Sequence, residues 1–556
     1  MAPLKSLAVC IALFAVFGCA RGVAGMSHVP RDLVEWSRGA RLYDGLGTFH
    51  RPITTSSEEA QRYFDQGMRF MWAFNHDEAT RSFARAAQLD PRCAMCYWGV
   101  ALTVGPNYNL PFMAAPRAKV AFAALEKART TAARTTPVER SLIAALTKRY
   151  PNAQPLDPTN EGPVLAAYAD AMKSVAAQFP ADLDVQTMYA ESRMDLNAWK
   201  LWTPDGRPAP GTVEILATLE NVLRRDPYHP GANHYYVHAV EASPHPERAL
   251  TAAGRLRGMM PAAGHLEHMP AHIFQRVGRY EDAAAANRRG IVADAKYLAR
   301  TLPPDYYAMY VAHNYQFLAY SAAMEGRQAE TLDAVRKLRA AMPEQTLLSM
   351  PGQDWYFVEY YQAYLRFGLW DRMLAEAAPN PKLPGLSAGY WYARGVAAAA
   401  TGRLPQSQQA LRQLEKVAAD APTNYGAGNN AAKDLFALAA TVLRGQIAAA
   451  GHHGDSAVAL LTEAAAKEDH LAYDEPSAWF FPVRHLLGAQ LLQLGRARQA
   501  EAVYRQDLAR NPDNGWALYG LAQSLAAQKK AVEAARARER FKKAWAYADF
   551  TMTASR

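Results

Sequence analysis

No stretch beyond residue 24 is apolar for long enough to cross a bilayer, and no run alternates convincingly as a strand. Neither a membrane-spanning helix nor a sheet-built core is therefore expected. Cysteine is scarce, with four in 556 residues, which excludes a disulfide-stapled scaffold. Cys10 and Cys19 fall in the first 25 residues, so a single Cys93-x-x-Cys96 remains. It has no following histidine for haem attachment and no strand–turn–helix setting for a thioredoxin motif, so a local structural disulfide is the expectation. Phosphate loop, nucleophile elbow, dinucleotide fingerprint and His-Glu-x-x-His are all missing. Charged residues make up 20% of the chain against 50% hydrophobic, the balance of a folded protein. The net charge of +9 comes mostly from scattered arginines, and only Lys529-Lys530 to Lys542-Lys543 is locally dense. Without an aromatic-interleaved basic platform, no nucleic-acid partner is expected.

The chain opens with Lys5, a short apolar core from Leu7 to Phe17, and small residues after it, the order of an export signal over 1–24. Val16-Phe17-Gly18-Cys19 resembles a lipobox, which would anchor the protein through a lipidated Cys19. Cleavage after Ala20 or Ala24 would instead release it. Either way the mature chain is expected in the cell envelope, as a periplasmic protein or an outer-membrane lipoprotein.

Helical periodicity fills the rest. Tyr63, Gly67, Phe70, Ala79, Phe83, Ala86 and Pro91 stand at the offsets by which one helical hairpin packs on itself. Weaker copies are built on Trp391, Gly395, Gly402 and Leu411; on Gly445, Ala457, Leu461 and Ala464; and on Leu487-Gly488, Ala500, Tyr504 and Pro512. Between them 116–150, 164–200, 212–226, 305–340 and 354–378 read as helical. On these residues the chain resembles the tetratricopeptide-repeat family. The resemblance implies an all-α solenoid of helical hairpins whose first helices line a concave groove. Cys93-Ala-Met-Cys-Tyr-Trp-Gly99, His268-Met-Pro-Ala-His-Ile273, His313-Asn314 and Tyr473-Asp-Glu-Pro476 with Trp479 and Arg484 further resemble a bacterial group of exported repeat proteins with no assigned role. The organisation expected is an N-terminal extension at 25–60, then repeats at 61–226, 227–345 and 346–550.

What the repeats do not account for is histidine. Seven of the chain's 15 lie in 229–272. His234-Tyr-Tyr-Val-His238 and His268-Met-Pro-Ala-His272 repeat the same spacing 34 residues apart (234 to 268), one tetratricopeptide period. Residues four apart share a helix face. Aligning Ala249 with Ala283 puts both pairs on first helices, which by the resemblance face the groove. Glu241 lies one turn beyond His238, His265 one turn before His268, and His313 near the start of the next hairpin. His485 takes the same repeat position as His234 and His268. Pro270 interrupts the second pair, and a helix starting there would consign His265 and His268 to a loop.

Two functions fit. One is a binding scaffold that holds a peptide or protein ligand in its groove, since hairpins add surface and no chemistry. The other is a copper or zinc metalloprotein with His234, His238, His268 and His272 as ligands and Glu241, His265 and His313 as further candidates. Six histidines would suffice for two coppers with three imidazoles each. Under the metal reading, affinity should fall as protons compete for imidazole. Tyr235, Tyr236, Tyr306, Tyr307 and Tyr310 are expected to pack the hairpins, as are Met259, Met260 and Met269. Asp474 and Glu475 are expected to cap the next helix or pair with Arg484.

Overall fold

The computed structural model describes residues 29–555, apart from 112, 114, 155–160 and 302–305. The expected export signal and Cys19 lie outside the described residues. Among those residues the only sheet is a two-residue ladder pairing Gly426–Ala427 with Asn430–Ala431; the other regular elements are helices. No helix among them is long and apolar enough to cross a membrane. Contacts divide the chain into two compact units, Met1–Ile273 with Arg289–Tyr307, and Phe274–Arg288 with Ala308–Arg556.

The first unit begins its repeats with the hairpin Glu58–Trp72 and His76–Leu89. Ser57 starts it by accepting the Ala60 N–H on its hydroxyl, and the Asn75 side-chain carbonyl accepts the Glu78 N–H. Phe83, on the second helix, is buried against Gly67 of the first helix and Gly99 of the following one. A Cβ at either glycine would come within 2.5 Å of the Phe83 ring, so only glycine lets the three helices close on it. Burying such a ring is worth roughly 1.5–3 kcal/mol. The Ala94–Thr103 helix starts at Cys93, which is bonded to Cys96 as expected. The stretch 116–150 divides into Ala115–Thr131 and Pro137–Leu146, because Thr136 and Glu139 form a capping box with Pro137 in the first turn. Likewise 164–200 divides at Phe179–Asp182 into Gly162–Gln178 and Leu183–Met194.

The second unit repeats this design. Pro384–Ala400 packs on Leu404–Asp420, Ala432–Ala450 on Gly454–Asp469, Val483–Gln493 on Ala497–Arg510, and Gly515–Ala527 on Ala531–Ala544. Tyr504 stands between Gly488 and Gly520 as Phe83 stands between Gly67 and Gly99. The fold is thus all-α and built of tetratricopeptide-type hairpins.

Eight described hairpin turns share one hydrogen-bond frame. The turn residue's N–H donates to the carbonyl three residues back, and the next N–H to the carbonyl five residues back. That frame requires a left-handed residue, which glycine supplies at 278, 326, 368, 402 and 495. His452 and Lys529 fill two others and are exposed. The eighth is Phe74, with φ 53° and 1% of its surface exposed.

Candidate metal centre

The helix Pro230–Glu241 carries the first histidine pair. His229 caps it, with Nδ1 accepting the Ala232 N–H at 3.1 Å, and Pro230 fits the first helical position. Every residue of this helix is buried. His234 and His238 are 0% and 4% exposed, and His268 and His272 0% and 1%. These side chains therefore do not line an open groove, as the repeat resemblance implied, but sit in the interior of the first unit.

His234 Nδ1 lies 2.6 Å from the Trp72 carbonyl. The carbonyl can only accept, so Nδ1 carries the proton and Nε2 presents a lone pair. That Nε2 stands 3.1 Å from His265 Nε2. His238 Nδ1 is 2.9 Å from Glu241 Oε1. The ring centroids are 4.9 Å apart for His234 and His238, 5.0 Å for His234 and His265, and 6.0 Å for His238 and His265. One ligating atom from each of these three histidines lies within 4.8 Å of the others. For comparison, two nitrogens on one ion at ~2.05 Å stand ~2.9 Å apart at a right angle and ~3.3 Å at the tetrahedral angle.

The second pair survives its proline. Gly264–His268 is one short helix and Pro270–Arg276 the next, yet Met269 between them keeps right-handed helical angles (φ −49°, ψ −36°). Pro270 removes one N–H without turning the chain aside, so His268 and His272 keep a common face. Their Nε2 atoms are 2.7 Å apart. His272 Nδ1 meets Glu241 Oε2 at 2.6 Å. Both oxygens of the buried Glu241 carboxylate thus face imidazole Nδ1 atoms, one from each pair. Glu241, which the sequence offered as a ligand, stands beside an imidazole of each pair.

Burial, and then the neighbouring imidazoles, hold His234 and His265 well below the ordinary histidine range. Both are neutral at physiological pH, the form in which imidazole binds a metal. Phe74 covers the group, with its ring 4.5 Å from His234, 5.7 Å from His238 and 5.7 Å from His265. The Tyr108 ring lies 5.3 Å from that of His238. Neither aromatic, nor the Trp72 carbonyl, could be found from the sequence; they come from the first hairpins, 162 residues before His234 in the case of Trp72. The one local signal was a phenylalanine at a turn position that glycine usually fills.

The remaining expected residues belong to one unit or the other. His313 belongs to the second unit, half-buried on Tyr307–Met324, with its ring 4.8 Å from Phe317. His485, also in the second unit, has both nitrogens engaged: Arg366 donates to Nδ1 at 3.0 Å, and Nε2 meets Asp507 at 3.0 Å. Asp474 neither caps a helix nor pairs with Arg484. It accepts the Tyr356 hydroxyl at 2.9 Å and the Asn429 N–H at 3.1 Å, while Arg484 pairs with Asp469 at 2.7 Å. Burial pushes the Asp474 carboxyl up to about 7. Tyr235 packs on Phe74, the Tyr236 hydroxyl meets Glu220, and the Tyr306 and Tyr307 hydroxyls meet Asp77 and Asp294. Met260 and Met269 are core, as expected.

No protein-family model matches the chain, and no curated protein matches it in sequence. Solved structures that resemble it are helical-repeat proteins at low identity. A tetratricopeptide repeat protein from Parabacteroides merdae is 13% identical, with 63% of this chain and 99% of that one covered and a TM-score of 0.33. The human IFIT1 dimer with m7Gppp-AAAA is 11% identical over 92% of this chain and 97% of that one, TM-score 0.35. The Cut9–Hcn1 hetero-tetramer of the APC/C is 13% identical over 87% and 76%, TM-score 0.32.

Proposed function

We propose that this helical-repeat protein is a metalloprotein whose first unit binds a copper or zinc ion through His234, His238 and His265. One observation carries the reading: three buried histidines offer ligating atoms within 4.8 Å of one another. The Trp72 carbonyl and Glu241 hold the Nδ1 atoms of two of them, which turns their Nε2 atoms to the ion. Three imidazoles with no thiolate suit copper and zinc equally, and an ion with three protein ligands keeps a position for a further one. Export to the envelope, argued from residues 1–24, belongs to the same proposal.

Elemental analysis of the purified chain after loading and chelator washing tests it. Near-stoichiometric metal in the wild type, lost in a His238→Ala/His265→Ala variant that still melts cooperatively, is the expected result. No retained metal in the wild type overturns the reading. A scaffold that captures a peptide or protein partner is the second reading, supported by hairpins that present surface throughout both units. It predicts a partner retained equally by wild type and variant.

A further inference from the structure

We infer that the first unit holds a second metal ion on His268 and His272, and that Glu241 joins the two ligand sets into one binuclear centre. The inference rests on the metal reading above for its first ion. His268 Nε2 and His272 Nε2 are 2.7 Å apart, with their rings edge to face at 83° and centroids 4.7 Å apart. His272 Nδ1 lies 2.6 Å from Glu241 Oε2 and its Nε2 2.7 Å from His268 Nε2, so the ring stands between the carboxylate and His268. Two Nε2 atoms that converge this way stand close to the ~2.9 Å expected of two ligands at right angles on one ion.

Glu241 makes the pair more than a neighbour of the first set. One of its oxygens meets His238 Nδ1 and the other lies 2.6 Å from His272 Nδ1, so a single buried carboxylate adjoins one ligand of each ion. The two sets adjoin through their rings as well: His238 and His272 are 5.7 Å apart, and His265 and His268 5.9 Å. Charge fits this arrangement. Two adjacent cations in a dry interior need a counter-charge, which imidazole ligands cannot supply and Glu241, 2% exposed, does. Copper is the natural probe, because it accepts all-imidazole sites and reports its neighbours magnetically.

The test loads the full chain with Cu(II), strips loosely held copper from exposed histidines such as His245 and His452 with EDTA, and reads copper per chain and the electron paramagnetic resonance signal. Two retained coppers with a signal attenuated by spin coupling are expected for the wild type. His268→Gln/His272→Gln should keep one copper and recover the full mononuclear signal. Glu241→Gln removes the negative charge beside both sets and should weaken retention of both ions. One copper with a full signal in the wild type overturns the second site and leaves the first standing. Two coppers that persist unchanged in His268→Gln/His272→Gln overturn this assignment, whatever the first ion does. No retained copper in the wild type overturns the inference together with the reading beneath it.

Discussion

His234 in the first unit and His485 in the second hold the same repeat position on buried helices, and they do opposite things. His485 is a link in a chain: Arg366 donates to one nitrogen and Asp507 faces the other, so nothing is left to bind. Arg366 also lies 3.6 Å over the Trp516 ring, and burial pushes its guanidinium well below the usual arginine range. Burial works against the Asp507 carboxylate too, but His485 and the amides of Asn514 and Asn511 hold it below its ordinary value. His234 instead has one nitrogen on a backbone carbonyl and turns the other towards His265. The comparison teaches that a buried imidazole is structural when charged partners take both nitrogens, and a ligand when its neighbours are further imidazoles.

The largest effect should come from cutting both. His485→Ala leaves Arg366 and Asp507 facing a gap, and losing the link of a buried charged network costs about 3–5 kcal/mol. Its denaturation midpoint should fall steeply while metal content stays at the wild-type level. His234→Ala should lose chelator-resistant metal with a smaller loss of stability, on the order of 1–3 kcal/mol. Metal loss in His485→Ala at a temperature where it is folded would break the comparison.

A smaller effect separates the units by pH. In the first, burial pushes His76 down to about 3. The unfolded chain takes up that proton first, so stability is full above about 6.5 and is lost as pH falls towards 3. In the second, burial pushes Glu468 up to about 8. The folded chain keeps that proton, so stability is full below about 4.5 and is lost as pH rises through 8. Each slope is at most about 1.4 kcal/mol per pH unit. Chemical denaturation across pH should show His76→Gln flattening the acid flank and Glu468→Gln the alkaline one. Either variant flattening the opposite flank would contradict the assignment.

The smallest effect concerns the turns. Lys529 and Phe74 both hold left-handed backbone, but Lys529 is exposed and Phe74 covers three imidazoles. Lys529→Gly should raise stability by up to about 1 kcal/mol and leave metal binding alone. Phe74→Gly gains the same backbone relief yet should melt earlier and release metal faster, because the buried ring is gone. Equal effects at the two turns would show that Phe74 is only a turn residue.

Much of this could be read from the chain. The offsets of Tyr63, Gly67, Phe83 and Pro91 gave the first hairpin, the Leu487-Gly488 copy gave another, and Cys93 and Cys96 are paired as expected. The histidine spacing also picked out the cluster, because i to i+4 places two rings on one face wherever a helix forms. It misjudged the setting. Pro270 left the second pair intact, since Met269 keeps the helical path, and the rings are buried where an exposed groove was expected.

Helix periodicity, caps, hairpin glycines and the pairing of neighbouring cysteines were determined by the sequence itself, because each rests on residues within one or two turns of one another. What His234, His238, Glu241 and His485 do was decided only by tertiary structure. The role of a ring nitrogen depends on which group stands within about 3 Å of it. Here that group is a carbonyl from the first hairpin, a carboxylate beside His238 and His272, or an arginine 119 residues away.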